Sequence, residues 1–439
     1  MAAIVAGAAP AAPHARAPLP ETGWRAAARR ALRSAPGLRF AHAIERAAVL
    51  MVPARPRQRG PRVIDVVMLP AGGGNIGDQA MFEAYLANTP GEIVAVMCAA
   101  EDFVVPERDA VRVRVMLAPR LTSGSHRGRG PEMRALAETL RTAKSFAVIG
   151  ADIMDGGYDR VESVTRAELL RLADRLGAPA RLLGFSWGDD ADPVAAGALR
   201  RASRRAWLFV RDPVSAERLH RAGIPAIASA DLAFTVDDLQ EPPDVAMGLG
   251  SGADPLVVLN LSGLVGRSVD LVPAFTGLID RLTADGARVV LLPHCIRDGD
   301  DDLPVCRRVA SAAVDPHRVL LVERTLRPAE VRWLTARAAA VVTGRMHLSI
   351  LALKQGTPVV VLSTRGKVEG LARMFGLDEF VLEPVPGIGA AVDRMLSTAL
   401  SDVTLRERIR AQLPHVTALA RKPFVEAGAH SERAEASLS

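Results

Sequence analysis

Three things are scarce in this chain of 439 residues: it has three cysteines, only 4% aromatic side chains, and no run of about 18 apolar residues. Lacking such a run, the sequence offers no candidate membrane-spanning helix. Cys98, Cys295 and Cys306 form neither an even disulfide set nor a closely spaced ligand pair, so a reducing compartment is expected, and with it a cytoplasmic location. Acidic residues are scarce in one region. Residues 1–62 hold eleven arginines against Glu21 and Glu45 alone, a local +9, so the formal net charge of +6 leaves about −3 for everything downstream. No basic patch interleaved with aromatics runs through that downstream part, which argues against nucleic acid as a partner. The arginine-rich beginning resembles a transit peptide in its few acids but not in serine content, and it lacks the apolar core of a secretory signal. Basic amphipathic helices over 24–32 and 38–52 are expected there, either as a loosely packed solvated tail or resting on an anionic membrane surface.

What the chain does have is 49% hydrophobic and 24% charged residues, close to the balance of a soluble globular protein, in a regular alternation. After the proline- and glycine-bearing linker 54–62, apolar runs at 63–69, 93–98, 112–117, 145–149, 181–185, 207–210 and 226–230 read as buried strands. Helical patterns at 131–143, 163–176, 193–206 and 213–222 separate them. This rhythm predicts a parallel sheet. The stretch 235–255, acidic and rich in proline and glycine, reads as a linker. A second rhythm follows, with strands at 256–261, 288–292, 319–321, 338–343 and 358–363. The expected fold class is α/β: a basic, partly disordered or amphipathic extension (1–62), two α/β domains (63–240 and 255–400) facing each other across a cleft, and a segment 401–439. That last segment is expected to hold a closing helix over 405–420 and a disordered end after 427.

The run GRMHLSILALKQGTPVVVLSTRGK, residues 344–367, is the most informative. It places Arg345, His347 and Lys367 after two neighbouring strands, at the ends where ligands of open α/β sheets bind and where a helix start offers free N–H groups. Such a cluster suits a small ligand with several negative charges. At 72–77, Gly72, Gly74 and Gly77 have dinucleotide-fingerprint spacing, with Glu101 and Asp102 after the next strand. Asp78 would repel a pyrophosphate there and suits an N-cap. A purely structural turn, or a turn lining the cleft through Gly74, Asn75 and Asp78, are the other readings. Asp298, Asp300, Asp301 and Asp302 look like a metal loop, but their position before a helix fits capping and solvation. Arg211 and Asp212 read as a strand-end ion pair or as site residues. His294 follows a strand and either faces the cleft or is solvated.

Several segments, in order, resemble the polysaccharide pyruvyl transferase family: NIGDQAM after the glycines, VIGADIMDGG (148–157), LLGFSWG (182–188), VRDPVSAERLHRAGI (210–224), DLAF (231–234), VLNLSG (258–263), LPH (292–294) and GRMHLSILALKQGTPVV with the later Lys367. The resemblance implies two Rossmann-like domains of the GT-B-like glycosyltransferase type, and transfer of the enolpyruvyl carbons of phosphoenolpyruvate onto two hydroxyls of a sugar as a cyclic ketal, with release of phosphate. It implies a phosphoenolpyruvate site at Arg345, His347, Lys367 and Arg211. Where the family has a glycine triplet, this chain has Gly150, Ala151 and Asp152.

Chemical reasoning agrees. Phosphoenolpyruvate carries a phosphate and a carboxylate, and arginine pairs with either through two hydrogen bonds. Ketal formation needs a proton at the methylene carbon and a base for the attacking hydroxyl. His347 is the expected proton carrier, histidine being the side chain that titrates nearest neutral pH. Asp78, Asp152 and Asp189 are the candidate bases, with Gly74, Asn75 and His294 also on the acceptor side. No cofactor or metal is expected. The acceptor is expected to be a lipid-linked saccharide, met near the inner membrane face. The alternatives are a glycosyltransferase using a nucleotide sugar and a non-catalytic glycan-binding member.

Overall fold

The computed structural model describes residues 62–124, 128–250, 252, 254–267, 269–363 and 366–436. The basic helices expected at 24–32 and 38–52, and their membrane contact, fall outside these residues. Downstream, valine- and isoleucine-rich runs become strands buried on both faces, as a parallel sheet sandwiched between helices requires.

The first sheet is entirely parallel. Its strands are β1 (Ile64–Met68), β2 (Glu92–Met97), β3 (Val113–Leu117), β4 (Ala143–Ala151), β5 (Ala180–Phe185), β6 (Ala206–Val210) and β7 (Ile227–Ala228), in the order β3-β2-β1-β4-β5-β6-β7. The second contains β8 (Leu256–Leu259) and β9 (Arg288–Leu291). A short antiparallel hairpin, β10 (Ile296–Arg297) and β11 (Asp300–Asp301), interrupts it before β12 (Val319–Leu321), β13 (Ala340–Thr343), β14 (Val359–Leu362) and β15 (Val381–Leu382). Its order is β12-β9-β8-β13-β14-β15, again parallel. Each sheet grows one way from its first strand and then the other way, so β1/β4 and β8/β13 mark the switch points where a crevice opens at the strand ends.

The two halves do not merely face each other. Ile76, Ala80, Ala233 and Phe234 of the first belong to the same buried apolar cluster as Val257, Val341, Leu351 and Phe375 of the second. The rings of Phe234 and Phe375 lie 5.7 Å apart. The stretch expected as a bare linker contains the short helix Pro243–Leu249. The closing helix, Leu405–Ala436, runs past its expected end at 420, through Pro414 and Pro423, and over the described part, 428–436, of the end expected to be disordered. Each proline removes a helical hydrogen bond, but the helix is held near its start and again at Pro423–Phe424. Arg406 donates to the carbonyl of Ala339 at 3.1 Å in the second half. In the first half, Arg181 donates to the carbonyl of Pro423 at 2.9 Å and the Phe424 ring lies 6.2 Å from Tyr85. Among the described residues no helix is long and apolar enough to cross a membrane.

Phe234 is fully buried where the halves meet. Phe234→Ala is expected to cost about 3–5 kcal/mol, read as a shift of the urea denaturation midpoint; a loss below about 1 kcal/mol would show that this contact does not join the halves.

Candidate functional site

Every candidate side chain follows the carboxyl end of a strand. After β1 the chain turns through Gly72–Gly73–Gly74 into the helix Ile76–Asn88. Its N-cap is Asn75, whose Oδ1 accepts from the N–H of Gly77 at 2.8 Å and of Asp78 at 3.4 Å. Asp78, expected as the cap, lies instead inside the first turn, where burial raises its pKa. The turn makes a short backbone junction with the second half. Ile296 N–H donates to the Gly74 carbonyl at 2.9 Å, and Ile76 N–H donates to the His294 carbonyl at 3.2 Å. Asn75 and Cys295 form an isolated antiparallel bridge between them. At Gly74, φ is +76° and a side chain would strike the Ile296 carbonyl; at Gly77, a Cβ would overlap the His347 ring. The glycine spacing thus serves close approach between halves. Asp102 accepts from Ala99 N–H at 2.9 Å as a local turn, and its backbone packs against Gly73.

Arg211, after β6, is the hub. Its guanidinium is fully buried and donates to Ser186 Oγ at 2.9 Å, to Asp231 at 3.0 Å and to Asp152 at 2.5 Å. It does not pair with Asp212, which caps the helix Pro213–Arg221 by accepting from Ser215 N–H at 2.7 Å. His347 enters from the second half, in the first turn of the helix Met346–Lys354, with Nε2 3.3 Å from Asp231 Oδ2 and 3.4 Å from Arg211 Nη1. That nitrogen has two uses. Protonated, it donates to Asp231; unprotonated, it accepts from Arg211. Burial opposes ionisation of Asp231, but His347 and Arg211 outweigh it and hold this carboxyl far below the usual range. Asp152 is also held low, because Arg211, Lys367 and His347 overcome the effect of burial.

Lys367, after β14, reaches across to the first half. Its Nζ lies 2.9 Å from Asp155 and donates to the Asp152 carbonyl at 3.0 Å. Arg345, after β13, is gripped by two carboxylates: Asp300 at 3.0 and 2.5 Å, and Asp302 at 2.6 and 3.2 Å. Asp302 is wholly buried and also accepts from Asn260 at 2.9 Å and from the N–H groups of Gly263 at 2.7 Å and His294 at 3.0 Å. The expectation that these acids are solvated is therefore corrected for Asp300 and Asp302, whose hairpin folds back onto Arg345. Asp301 caps the following helix at Leu303 N–H.

Asp189 sits at the exposed rim, bound to Arg218 at 3.0 Å and Arg221 at 2.9 Å. His294 sits beside His347 and Arg345 and is 2% exposed. Neither ring nitrogen has a hydrogen-bond partner among the described residues, at a cost of about 1–3 kcal/mol for an unsatisfied buried group. Burial, then the charges of His347 and Arg345, push its pKa well below the ordinary value, so the ring is neutral. At the altered triplet, a Cβ at Gly150 would crowd Phe185, and Ala151 takes a φ of +43°, a conformation that favours glycine. Asp152 supplies the carboxylate for Arg211. Asp231, Asp155, Asp300 and Asp302 join the site without having been expected there, although Asp231 opens the DLAF segment and Asp155 lies in VIGADIMDGG, two segments already singled out. Among the described residues no group of three or more His, Cys, Asp or Glu side chains could hold a metal ion.

Two parallel doubly wound halves, with charged groups gathered between their strand ends, define a chain of the GT-B fold class. Solved structures agree on the fold. The chain is similar to UDP-GlcNAc 2-epimerase from Methanocaldococcus jannaschii (TM-score 0.51, 11% identity, 80% of this chain and 99% of that one). It is also similar to Arabidopsis thaliana UGT89C1 in complex with UDP-L-rhamnose (TM-score 0.54, 11% identity, 85% and 100%) and to the glycotransferase of kitacinnamycin (TM-score 0.50, 14% identity, 85% and 99%). Comparison with curated protein sequences gives no significant match. The model of the polysaccharide pyruvyl transferase family matches residues 75–366, and the chain belongs to that family of transferases.

Two outcomes are expected. Gly77→Ala forces the His347 ring to move, so the variant should melt lower than the wild type and show altered His347 resonances in NMR; an unchanged spectrum would mean the ring has room. Asp231→Asn leaves the buried Arg211 short of a partner and should cost about 3–5 kcal/mol. A carboxylate whose folded pKa is depressed contributes stability that is present above its unfolded value, 3.8 for Asp231, and lost as pH falls through the folded one. The acid limb of Tm against pH should therefore be shallower in Asp231→Asn than in the wild type, and identical limbs would contradict the assignment.

Proposed function

We propose that this protein transfers the enolpyruvyl carbons of phosphoenolpyruvate to two hydroxyls of a saccharide, forming a cyclic ketal and releasing phosphate. The observation that carries this reading is the convergence of Arg211 from one half with His347 and Lys367 from the other around Asp152, Asp155 and Asp231. A donor with a phosphate and a carboxylate needs cations from more than one direction. Asp300 holds Arg345 through two parallel hydrogen bonds, the geometry a phosphate or carboxylate would itself adopt. Donor binding in this reading exchanges carboxylate partners for substrate oxygens.

The chemistry divides accordingly. His347, ion-paired with Asp231 when protonated, delivers the proton to the methylene carbon of the donor. The adjacent carbon accepts the first hydroxyl as its proton passes to a carboxylate base, phosphate departs with its bonding electrons and takes up that proton, and the second hydroxyl closes the ketal as its proton returns to His347. Asp152 is committed to Arg211 and makes a poor base. Asp78, whose pKa burial raises, is better suited to take a hydroxyl proton. In this reading the acceptor is a lipid-linked saccharide, and the basic residues 1–62 keep the enzyme at the inner membrane face. Phosphoenolpyruvate is the donor substrate, and no further cofactor is required.

The test is acceptor-dependent release of phosphate from phosphoenolpyruvate, with mass spectrometry of the glycan for the ketal. His347→Ala should lower kcat by about 10²–10⁴-fold, and Arg345→Ala should abolish turnover, each checked for folding by thermal melting. Near-normal rates in both variants, or release of a nucleotide from a nucleotide sugar in place of phosphate, would overturn the proposal.

A further inference from the structure

We propose that His294 is a ligand-contacting residue: its imidazole, buried without a partner beside His347 and Arg345, hydrogen-bonds an oxygen of the bound donor's phosphate or carboxylate group. This deepens the reading of the site as a phosphoenolpyruvate site and rests on it.

The backbone of His294 is pinned from both sides. Its N–H donates to Asp302 at 3.0 Å, and its carbonyl accepts from Ile76 in the first turn of the opposite half at 3.2 Å. The next residue, Cys295, also donates to Asp302, at 3.2 Å, and bridges to Asn75. Four contacts thus fix the backbone from which the ring projects, yet the ring itself makes no hydrogen bond among the described residues. A neutral imidazole carries one donor and one acceptor, and buried polar groups in native proteins are nearly always satisfied. A ring held this firmly and left unpaired is prepared for a group that arrives from outside the chain.

The surroundings indicate what that group is. Asp302 Oδ2 accepts from both the His294 N–H and Arg345 Nε, which puts Arg345 next to this residue, and the charges of His347 and Arg345 act on the ring. The Asp302 carboxylate is occupied by the backbone and by Arg345, Asp300 by Arg345, and Asp78 lies in the first turn of the facing helix. The Cys295 thiol next to it is pushed up to about 12 by burial and stays protonated. A neutral ring next to cations suits an anionic oxygen acceptor, to which it donates an N–H. Burial first, and then the nearby positive charges, keep the ring neutral; an arriving negative charge offsets both, so binding draws a proton toward it.

The test uses the full chain with two variants, His294→Leu and His294→Asn. Affinity for phosphoenolpyruvate, inorganic phosphate and pyruvate is measured by titration calorimetry in buffers of different ionisation enthalpy, and melting is measured without ligand. Leu removes the orphan nitrogens, so its Tm should equal or exceed that of the wild type while phosphoenolpyruvate binds about tenfold or more weaker. Asn keeps a donor and should bind between the two, with less proton uptake than the wild type. Weakening confined to phosphate or to pyruvate tells which end the ring touches, and either supports the proposal. Affinity within about twofold of wild type in both variants, in an enzyme that still forms ketal, overturns it and leaves the proposed function standing. A lower Tm with unchanged affinity makes His294 structural and also overturns it. If the wild type binds no phosphoenolpyruvate, the inference and the proposed function fall together.

Discussion

The site depends on a buried guanidinium. Arg211 has no exposed side-chain surface, so its charge is tolerable only because Asp152 and Asp231 flank it and Ser186 takes a further N–H. These partners come from the ends of three different strands, β4, β7 and β5. Pairing them orders the rim of the first sheet from β4 to β7. Asp231 then offers the same carboxylate to His347, which carries the constraint into the second half. One ion-paired group thus fixes the relative position of catalytic candidates more than a hundred residues apart in sequence, since |i−j| is 136 for Arg211 and His347.

Close approach does the rest. Gly77 lies against the His347 ring with no space for a methyl group, Gly74 lies against Ile296, and a Cβ at Gly370 would overlap Asp212. Side chains at these positions would hold the halves apart and pull His347 away from Asp231. Besides the shared apolar cluster, the junctions at the site are two backbone hydrogen bonds at Gly74 and Ile76, the Lys367 contacts with Asp152 and Asp155, and the His347 contact with Asp231.

Twelve of the fifteen described strands, all but β10, β11 and β15, were readable from sequence to within about two residues because most are short apolar runs bounded by glycine, proline or charge, and burial leaves few other options. Arg345, His347 and Lys367 were readable for a related reason: local order along β13, a helix and β14 places them at adjacent strand ends. Their partners were not. Asp155, Asp231, Asp300 and Asp302 reach these cations only through the strand order and the facing of the two sheets, which leave no local periodicity. Asp300 was further disguised, because acids before a helix ordinarily cap it or face water, whereas here a two-residue hairpin turns the carboxylate onto Arg345. The glycine spacing at 72–77 misled in the opposite direction. Its pattern matches a phosphate-binding turn, yet the contacts it permits are with the polypeptide of the other half.

Charge accounting changes the picture of how such a site works. Arg211, Arg345 and Lys367 are in direct contact with five carboxylates, those of Asp152, Asp155, Asp231, Asp300 and Asp302. An open basic trap would attract any anion, and selectivity would have to come from shape alone. Paired cations behave differently, because a ligand gains only where its own oxygens match or improve on the hydrogen bonds it displaces, and the released carboxylate must find water or another partner. Singly charged or poorly shaped anions gain too little for that exchange. A ligand with two anionic groups, spaced to engage residues of both halves, can make the exchange twice. His294, whose ring is neutral and unpartnered among the described residues, gives up no hydrogen bond when the ligand arrives. In the proposed reading, selectivity therefore arises from the partners that must be displaced as much as from the cations that attract.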